Sequence, residues 1–300
     1  DRYGGSGTDR FTLNVTGSEK NIGFLDVSNG EVSSNSVTAY FSINGGNNDD
    51  SEPAPHWVFS DAPVTLYWVG AAGGAWNDVN NWSSTPGGAG GDGVPVSGNL
   101  AVFDGGDTDD CVLTADVVVT ELRVLGGYTG KIDLAGFDLT IEGSALTLED
   151  GEIELDIGSD LNVSNAASTI TVSGGVLDAE AGTVDLNGDL VISGGTVLAT
   201  SGTFSIAGDL DVGGGGVLTA GTGTFIFNGA SVLTSSGTAF ANIQVGDNVS
   251  GGALTTADSL DVNGSVSVGT GGATAFDITD DGIYFSGDVD LRGLGSLVST

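Results

Sequence analysis

The acidic residues are the side chains best suited to chemistry in this chain. It holds 40 Asp and Glu against 6 Lys and Arg in 300 residues, a formal net charge of −34. Acids two apart on a strand, such as Asp209 and Asp211 or Glu152, Glu154 and Asp156, share a face about 6.8 Å apart. That spacing falls within the ~6.5–9.5 Å used by inverting glycosidases. No neighbouring His, Lys or Arg would make one carboxylate an acid and the other a base, so we predict a solvated acidic face.

Two acidic loops are candidate calcium sites. Residues 277–288 place oxygens at positions 1, 3, 5 and 12 of an EF-hand-like loop, with Gly282 at position 6, but the bidentate Glu and the flanking helices are missing. Residues 104–110 concentrate four carboxylates. We predict that both loops are solvated turns and that the chain needs no cofactor; calcium is the one alternative. The candidate ligands are Asp277, Thr279, Asp281, Asp288, Asp104, Asp107, Asp109 and Asp110.

The shortage of cations excludes several classes of partner. No Lys or Arg lies between Lys131 and Arg292, so the chain lacks the basic clusters that bind nucleic acid or anionic membrane surfaces. The negative charge would also repel an acidic polysaccharide, which argues against a lyase that acts on such a polymer. One cysteine, Cys111, and one histidine, His56, form neither a disulfide nor a zinc site; we expect a buried, inert thiol. No apolar run reaches the ~20 residues of a membrane span.

An internal repeat in the sequence predicts the fold. Three stretches superpose, residues 172–190, 192–210 and 212–230, and all alternate apolar with polar residues as strands do. A unit of about 20 residues cannot bury its apolar face alone, so coils must stack. We predict an all-β fold, a right-handed parallel β-helix (solenoid) with about 20 residues per coil, preceded by a small β-rich N-terminal segment.

Alternation also predicts which side chains of two adjacent coils point inward. Asp185, Asn187 and Asp189 should point outward. The predicted inward residues are Val184, Leu186, Leu190, Ile192 and Val197 in one coil and Phe204, Ile206, Leu210, Val212 and Val217 in the next.

Composition changes divide the chain into four parts. We predict a β-rich segment at 1–43, an acidic Pro-containing linker at 44–66, a Trp-rich cap at 67–111 and solenoid repeats at 112–300. The tryptophans allow two interpretations: they cover the open end of the first coil, or they form a platform on which a glycan stacks. The residues concerned are Trp57, Trp68, Trp76 and Trp82.

Residues 67–300 resemble the β-solenoid repeat regions of bacterial surface exoproteins of the adhesin-like and autotransporter-like kinds. The matching residues are Trp68, Trp76, Asn81-Trp82, Gly93-Val94-Pro95 and Ser193-Gly194-Gly195-Thr196. The resemblance implies an exported protein that is extracellular or on the cell surface. Residues 1–66 carry no such resemblance.

Three functions remain after these exclusions. We favour a non-catalytic extracellular structural protein, a surface or filament-forming solenoid subunit. The alternatives are a carbohydrate-binding adhesin module that uses the tryptophans for surface glycans, and a polysaccharide-processing β-helix enzyme. Residues 293–300 still look like repeat, and an open coil edge invites another chain. We therefore expect self-association end to end, with segment 1–43 as a strand donor.

Overall fold

The chain folds almost entirely into short strands. A 3-10 turn, Val79–Asn81, is the one helical element within the described residues. The structure is a computed structural model, and it describes residues 11–16, 20–23, 26–40, 43–44, 48, 51, 53–60, 63–179, 182–199, 201–247, 249, 251–269, 273–278, 283–292, 294–295 and 297–299.

The strands fall into an N-terminal group and a solenoid group. The N-terminal group is β1 (Phe11–Asn14), β2 (Lys20–Gly23), β3 (Asp26–Val27), β4 (Gly30–Ser33), β5 (Val37–Tyr40), β6 (Ile43–Asn44) and β7 (Trp57–Ser60). The solenoid group is β8 (Thr65–Trp68), β9 (Gly74–Ala75), β10 (Trp82–Ser83), β11 (Leu100–Phe103), β12 (Cys111–Val112), β13 (Val117–Val119), β14 (Glu121–Val124), β15 (Lys131–Asp133), β16 (Leu139–Ile141), β17 (Ala145–Leu148), β18 (Glu152–Glu154), β19 (Asp160–Val163), β20 (Thr169–Val172), β21 (Val176–Asp178), β22 (Thr183–Leu186), β23 (Asp189–Ile192), β24 (Thr196–Leu198), β25 (Thr203–Ile206), β26 (Leu210–Val212), β27 (Val217–Thr219), β28 (Thr224–Phe227), β29 (Ala230–Thr234), β30 (Ala239–Phe240), β31 (Asn242–Val245), β32 (Gly252–Thr256), β33 (Leu260–Val262), β34 (Val266–Val268), β35 (Ala273–Ile278), β36 (Ile283–Phe285), β37 (Val289–Asp290) and β38 (Leu297–Ser299).

The solenoid strands stack as ladders that are parallel except at β10, and from β11 onward successive coils supply strands to three faces. Face 1 is a 12-stranded sheet in the order β10-β8-β11-β14-β17-β20-β23-β26-β29-β32-β35-β38. Face 2 is a seven-stranded sheet that runs from β9 to β27, and the separate sheet β30-β33-β36 takes the corresponding place in later coils. Face 3 is a nine-stranded sheet from β13 to β37. The all-β solenoid predicted from the sequence is confirmed.

The coils are somewhat longer than the repeat in the sequence predicts. The solenoid has about 11 turns of about 22 residues. Leu190 pairs with Leu210 in a short coil, whereas the pairing of Leu122 with Leu146 closes a longer one. The difference lies in the turns, because the paired strands of the two coils are similar in length. The three superposable stretches therefore come from the short coils.

The apolar ladder follows the predicted parity with one exception. Val217 is 50% exposed, and Leu218 occupies the inward place that pairs with Val197. The turn 213–216 holds four glycines where the preceding turn is shorter, and this extra residue moves Leu218 into register. The predicted inward residues that are buried are Val184, Leu186, Leu190, Ile192, Val197, Phe204, Ile206, Leu210 and Val212.

The glycines at the corner between faces 1 and 2 are required by close stacking. A Cβ on Gly174 would lie 1.7 Å from the carbonyl oxygen of Glu149 in the preceding coil, and a Cβ on Gly195 would lie 2.1 Å from the carbonyl oxygen of Gly174. No side chain fits at such distances. The Gly-Gly pairs that mark the repeat are therefore places where one turn rests on the backbone of another.

The N-terminal group is built like the solenoid but has its own core. Its pairs β1–β4, β2–β5, β5–β7 and β3–β6 are all parallel. Strand β7 (Trp57–Ser60) and the start of β8 (Thr65–Trp68) lie inside the range predicted as a linker, 44–66. The buried residues of this core are Val15, Val27, Val32, Val37, Ala39 and Trp57.

Candidate functional site

Three of the four tryptophans form an aromatic cluster at the start of the solenoid. Trp82 packs edge-on against Trp68 and Trp76, with ring centroids 5.3 and 4.8 Å apart. Phe103 of β11 contacts all three indoles, and its centroid lies 5.1 Å from the ring of Tyr128. These residues join the continuous core of the coils.

Two hydrogen bonds and one antiparallel strand hold the cluster in place. The Nε1 group of Trp68 donates to the carbonyl of Asp109 over 2.9 Å, and that of Trp82 donates to the carbonyl of Trp76 over 2.7 Å. Strand β10 pairs antiparallel with β8, at the edge of face 1. The edge strand β10 is only two residues long, and a short edge strand offers little template for unwanted strand addition.

The indole faces are not on the surface. Trp68, Trp76 and Trp82 have no exposed area, and Trp57 is 2% exposed in the separate N-terminal core. Stacking on a sugar needs an exposed ring face. The arrangement fits the capping interpretation for three tryptophans and places the fourth elsewhere.

The acidic loop 104–110 uses its carboxylates to hold turns. Asp104 accepts from the backbone N–H of Gly106 over 2.8 Å, and Asp107 accepts from that of Asp109 over 3.0 Å. Asp110 accepts from the N–H of Lys131 in the next coil over 2.8 Å. The carboxylates therefore serve separate backbone donors.

The second predicted calcium loop is described only in part. Asp277 lies in β35 and is half-buried, and Asp288 is exposed, while Thr279 and Asp281 lie outside the described residues. Across the ranges that the structure covers, no group of three or more His, Cys, Asp or Glu side chains is arranged to hold a metal ion.

Outward acids at the coil corners form ladders that sequence reasoning missed. Asp116 accepts from the backbone N–H of Asp138, and Asp138 accepts from that of Asp160, both over 3.1 Å. Asp189 likewise accepts from the N–H of Asp209 over 2.9 Å. Each carboxylate thus accepts a hydrogen bond from a backbone N–H group of the following coil that has no partner within the strand pairing. Asp116, Asp138 and Asp160 follow one another at intervals of 22 residues, and this regular spacing is the feature of the sequence that could have indicated the ladder.

A crowded acidic stripe runs along face 2. Asp133, Glu154 and Asp178 are register partners on three adjacent strands, and like charges directly across paired strands destabilise a sheet. Lys131 compensates in part: its Nζ lies 3.6 Å from a carboxylate oxygen of Asp133 and also pairs with Glu154. The stripe is thus a stack of acids with one cation beside it.

Burial and repulsion raise the pKa of two carboxyls beside this stripe, Glu152 and Asp156. For Glu152 burial is the main cause, followed by the charges of Glu154 and Asp178. The pKa of Asp156 is raised by burial and then by Asp133. A raised carboxyl pKa means that the folded state prefers the protonated form. These charges therefore cost stability at neutral pH, and the cost falls as the pH is lowered.

The cations of the solenoid are engaged in pairs. Arg123 Nη2 lies 2.6 Å from a carboxylate oxygen of Glu121, and Arg292 pairs with Asp290. With Lys131 also paired, each of these three cations already has an acidic partner within the chain. Holding the carboxylates of an acidic polysaccharide would require breaking such pairs.

Cys111 is fully buried in face 2, as expected from the sequence. Burial, and secondarily the charge of Asp133, raises the pKa of its thiol well above the usual value. The thiolate is the reactive form of cysteine. The side chain therefore acts as a small apolar group of the core.

Comparison with protein-family models, with curated proteins and with solved structures found no match for this chain. The resemblance to bacterial surface exoproteins is therefore supported at the level of the β-solenoid architecture alone. Within the described residues, no helix has the length and apolar character needed to cross a membrane.

Proposed function

We propose that this chain is a non-catalytic structural protein, the β-solenoid part of an extracellular or cell-surface assembly. The observation that carries the proposal is the pairing of an unbroken apolar ladder with outward acids that hold the backbone of the next coil. Asp138 and Asp209, for example, each accept one backbone hydrogen bond and donate their own N–H to the acid before them. Carboxylates that bind the backbone of the next coil stabilise a stacked rod. They are not arranged as a catalytic pair of acid and base.

End-to-end self-association is part of the proposal. The N-terminal group supports it, because its strands pair in parallel at separations close to one coil: Phe11 pairs with Gly30, and Val37 pairs with Trp57. A segment with this geometry can stack on the edge of a solenoid as a further coil. Adding strands to an open sheet edge is a common mode of protein recognition.

Negative-stain electron microscopy tests the proposal. We expect the intact chain to form filaments at high concentration and Val32→Asp to abolish them, because Val32 is 3% exposed in the N-terminal core. The neighbouring exposed residue supplies the control, Glu31→Gln, which should keep the filaments. A monomeric intact chain would refute self-association, and unchanged filaments of Val32→Asp would refute the role of the N-terminal group.

Calcium binding is a further expectation of the proposed surface role. The in-register acids Asp133, Glu154 and Asp178 repel one another, and calcium that bridges two neighbouring carboxylates relieves this repulsion beyond the screening that any salt provides. We expect the melting temperature to rise more with calcium chloride than with sodium chloride of equal ionic strength, as followed by circular dichroism. Superimposable melting curves in the two salts would mean that ionic screening accounts for the whole effect, and they would refute the calcium expectation.

A further inference from the structure

An open groove crosses four successive coils at the corner between faces 1 and 2. Its volume is about 410 Å³, within the range of about 300–1,000 Å³ found for small-ligand sites. Few side chains line it, and five glycines form its floor. The lining residues are Thr129, Asp150, Glu152, Val176, Thr196 and five glycines of the intervening turns.

The groove exists because neighbouring turns differ in length. Strands of faces 1 and 2 are joined by residues 149–151, 173–175 and 193–195 in the three coils that form the floor. The corresponding turn of the coil before them, residues 125–130, is twice as long and carries Thr129. The short turns also lack side chains where Gly174 and Gly195 rest on the coil beneath. The depression is thus set by turn length and by glycine together.

Three backbone carbonyls of the floor are already hydrogen-bonded. The carbonyls of Gly151, Gly175 and Gly195 accept the N–H groups of Val176, Thr196 and Val217 in the next coils over 2.9, 3.0 and 2.9 Å. These carbonyls are therefore not free to pair with a peptide that adds as a further strand. The side chains at the rim supply further polar groups for a ligand.

The rim offers hydroxyl and carboxyl oxygens around one apolar side chain. Asp150 is held in place, because it accepts from the backbone N–H groups of Gly127 and Gly151 over 3.1 and 3.0 Å. Thr129 and Thr196 supply a hydroxyl from the long turn and from the last coil of the floor, and Val176 lies on the strand between Glu152 and Thr196. Hydroxyl groups of a ligand can donate hydrogen bonds to the carboxylates. With the threonine hydroxyls they can act either as donors or as acceptors.

We propose that this groove binds a neutral, linear oligosaccharide lying along the solenoid axis. Four turns about 4.8 Å apart give the site a length of about 14 Å, which suits an extended chain more than a compact ligand. Polyanions are disfavoured by the net charge of −34 and by the two rim carboxylates. The site is separate from the buried tryptophans and goes beyond the structural role proposed above, so that either proposal can fail alone.

The test measures binding of neutral hexasaccharides to the full chain. The probes are cellohexaose, laminarihexaose, mannohexaose and maltohexaose, with hexagalacturonate and hexalysine as charged counterparts, followed by saturation-transfer NMR and calorimetry. Thr196→Trp places a large ring in the groove from an outward position. Thr219→Trp is the matched control, because Thr219 points outward on β27, outside the groove. Circular dichroism establishes that both variants fold.

We expect at least one neutral hexasaccharide to bind, Thr196→Trp to weaken that binding about tenfold or more, and Thr219→Trp to leave it unchanged. Absence of binding by every neutral probe at millimolar concentration would overturn the proposal. Equal affinity of the intact chain and Thr196→Trp would place the ligand elsewhere and overturn it as well. Tighter binding of hexalysine or hexagalacturonate than of any neutral probe would replace the proposal with charge recognition.

Discussion

Leu186→Asp is expected to unfold the solenoid, whereas Asp185→Ser is expected to leave it folded. Leu186 has no exposed area, and Asp185 is its outward-facing neighbour on the same strand, β22. An aspartate at position 186 would be a buried charge without a partner, which costs several kcal/mol or more. Thermal unfolding followed by circular dichroism distinguishes the two variants.

The same contrast holds one coil later. Phe204 pairs in register with Val184 and stacks on Phe225 with ring centroids 5.0 Å apart, so Phe204→Asp should be as damaging as Leu186→Asp. Equal melting temperatures for Leu186→Asp and Asp185→Ser would mean that the inward and outward positions have been assigned to the wrong residues.

Gly174→Ala is expected to destabilise the fold strongly for a change of one methyl group. The added Cβ would lie 1.7 Å from the backbone carbonyl oxygen of Glu149. A backbone atom cannot move aside as a flexible side chain can, so two coils must separate locally. Overpacking of this kind costs about 1–3 kcal/mol, and chemical denaturation should show a lower midpoint.

Gly126→Ala is the matched control for that substitution. Gly126 is a turn glycine at the same corner, and the nearest atom to its added Cβ would be a side-chain oxygen of Glu149 at 3.7 Å. Its backbone N–H, which donates to Glu149 over 3.0 Å, is kept by alanine. If both variants unfold at the same midpoint, the close stacking of turns is not what requires glycine at position 174.

The part of the fold that depends on local pattern could be predicted from the sequence. Alternation alone identified Leu186 and Ile206 as inward residues, because a strand with one buried face has a period of two. The same reasoning misplaced Val217, since an additional glycine in the turn before it shifts the register by one residue. Parity within a strand is a local property, but parity across a turn depends on the number of residues in that turn.

The placement of the candidate sites depended on distances that the sequence does not contain. Trp57 stands close in sequence to the other tryptophans, but it packs in the N-terminal core because its strand pairs with β5. Asp116 and Asp138 stand far apart in the sequence, and only the true coil length places one beneath the other. The groove beside Glu152 likewise depends on unequal turn lengths in consecutive coils.

Paired cysteines on face 1 test the stacking of coils most directly. Thr147 and Thr171 are register partners, and Thr171 is in turn paired with Val191, so that position 147 lies one strand from position 171 and two strands from position 191. Disulfides need Cα atoms about 4.4–6.8 Å apart, while two strand spacings amount to roughly 9–10 Å. The double variant Thr147→Cys with Thr171→Cys should therefore lose both new thiols on mild oxidation, as counted by alkylation and mass spectrometry. Thr147→Cys with Val191→Cys should keep them. Bridging of the second pair as readily as the first, or no bridging of the first, would contradict the parallel register of the stacked coils.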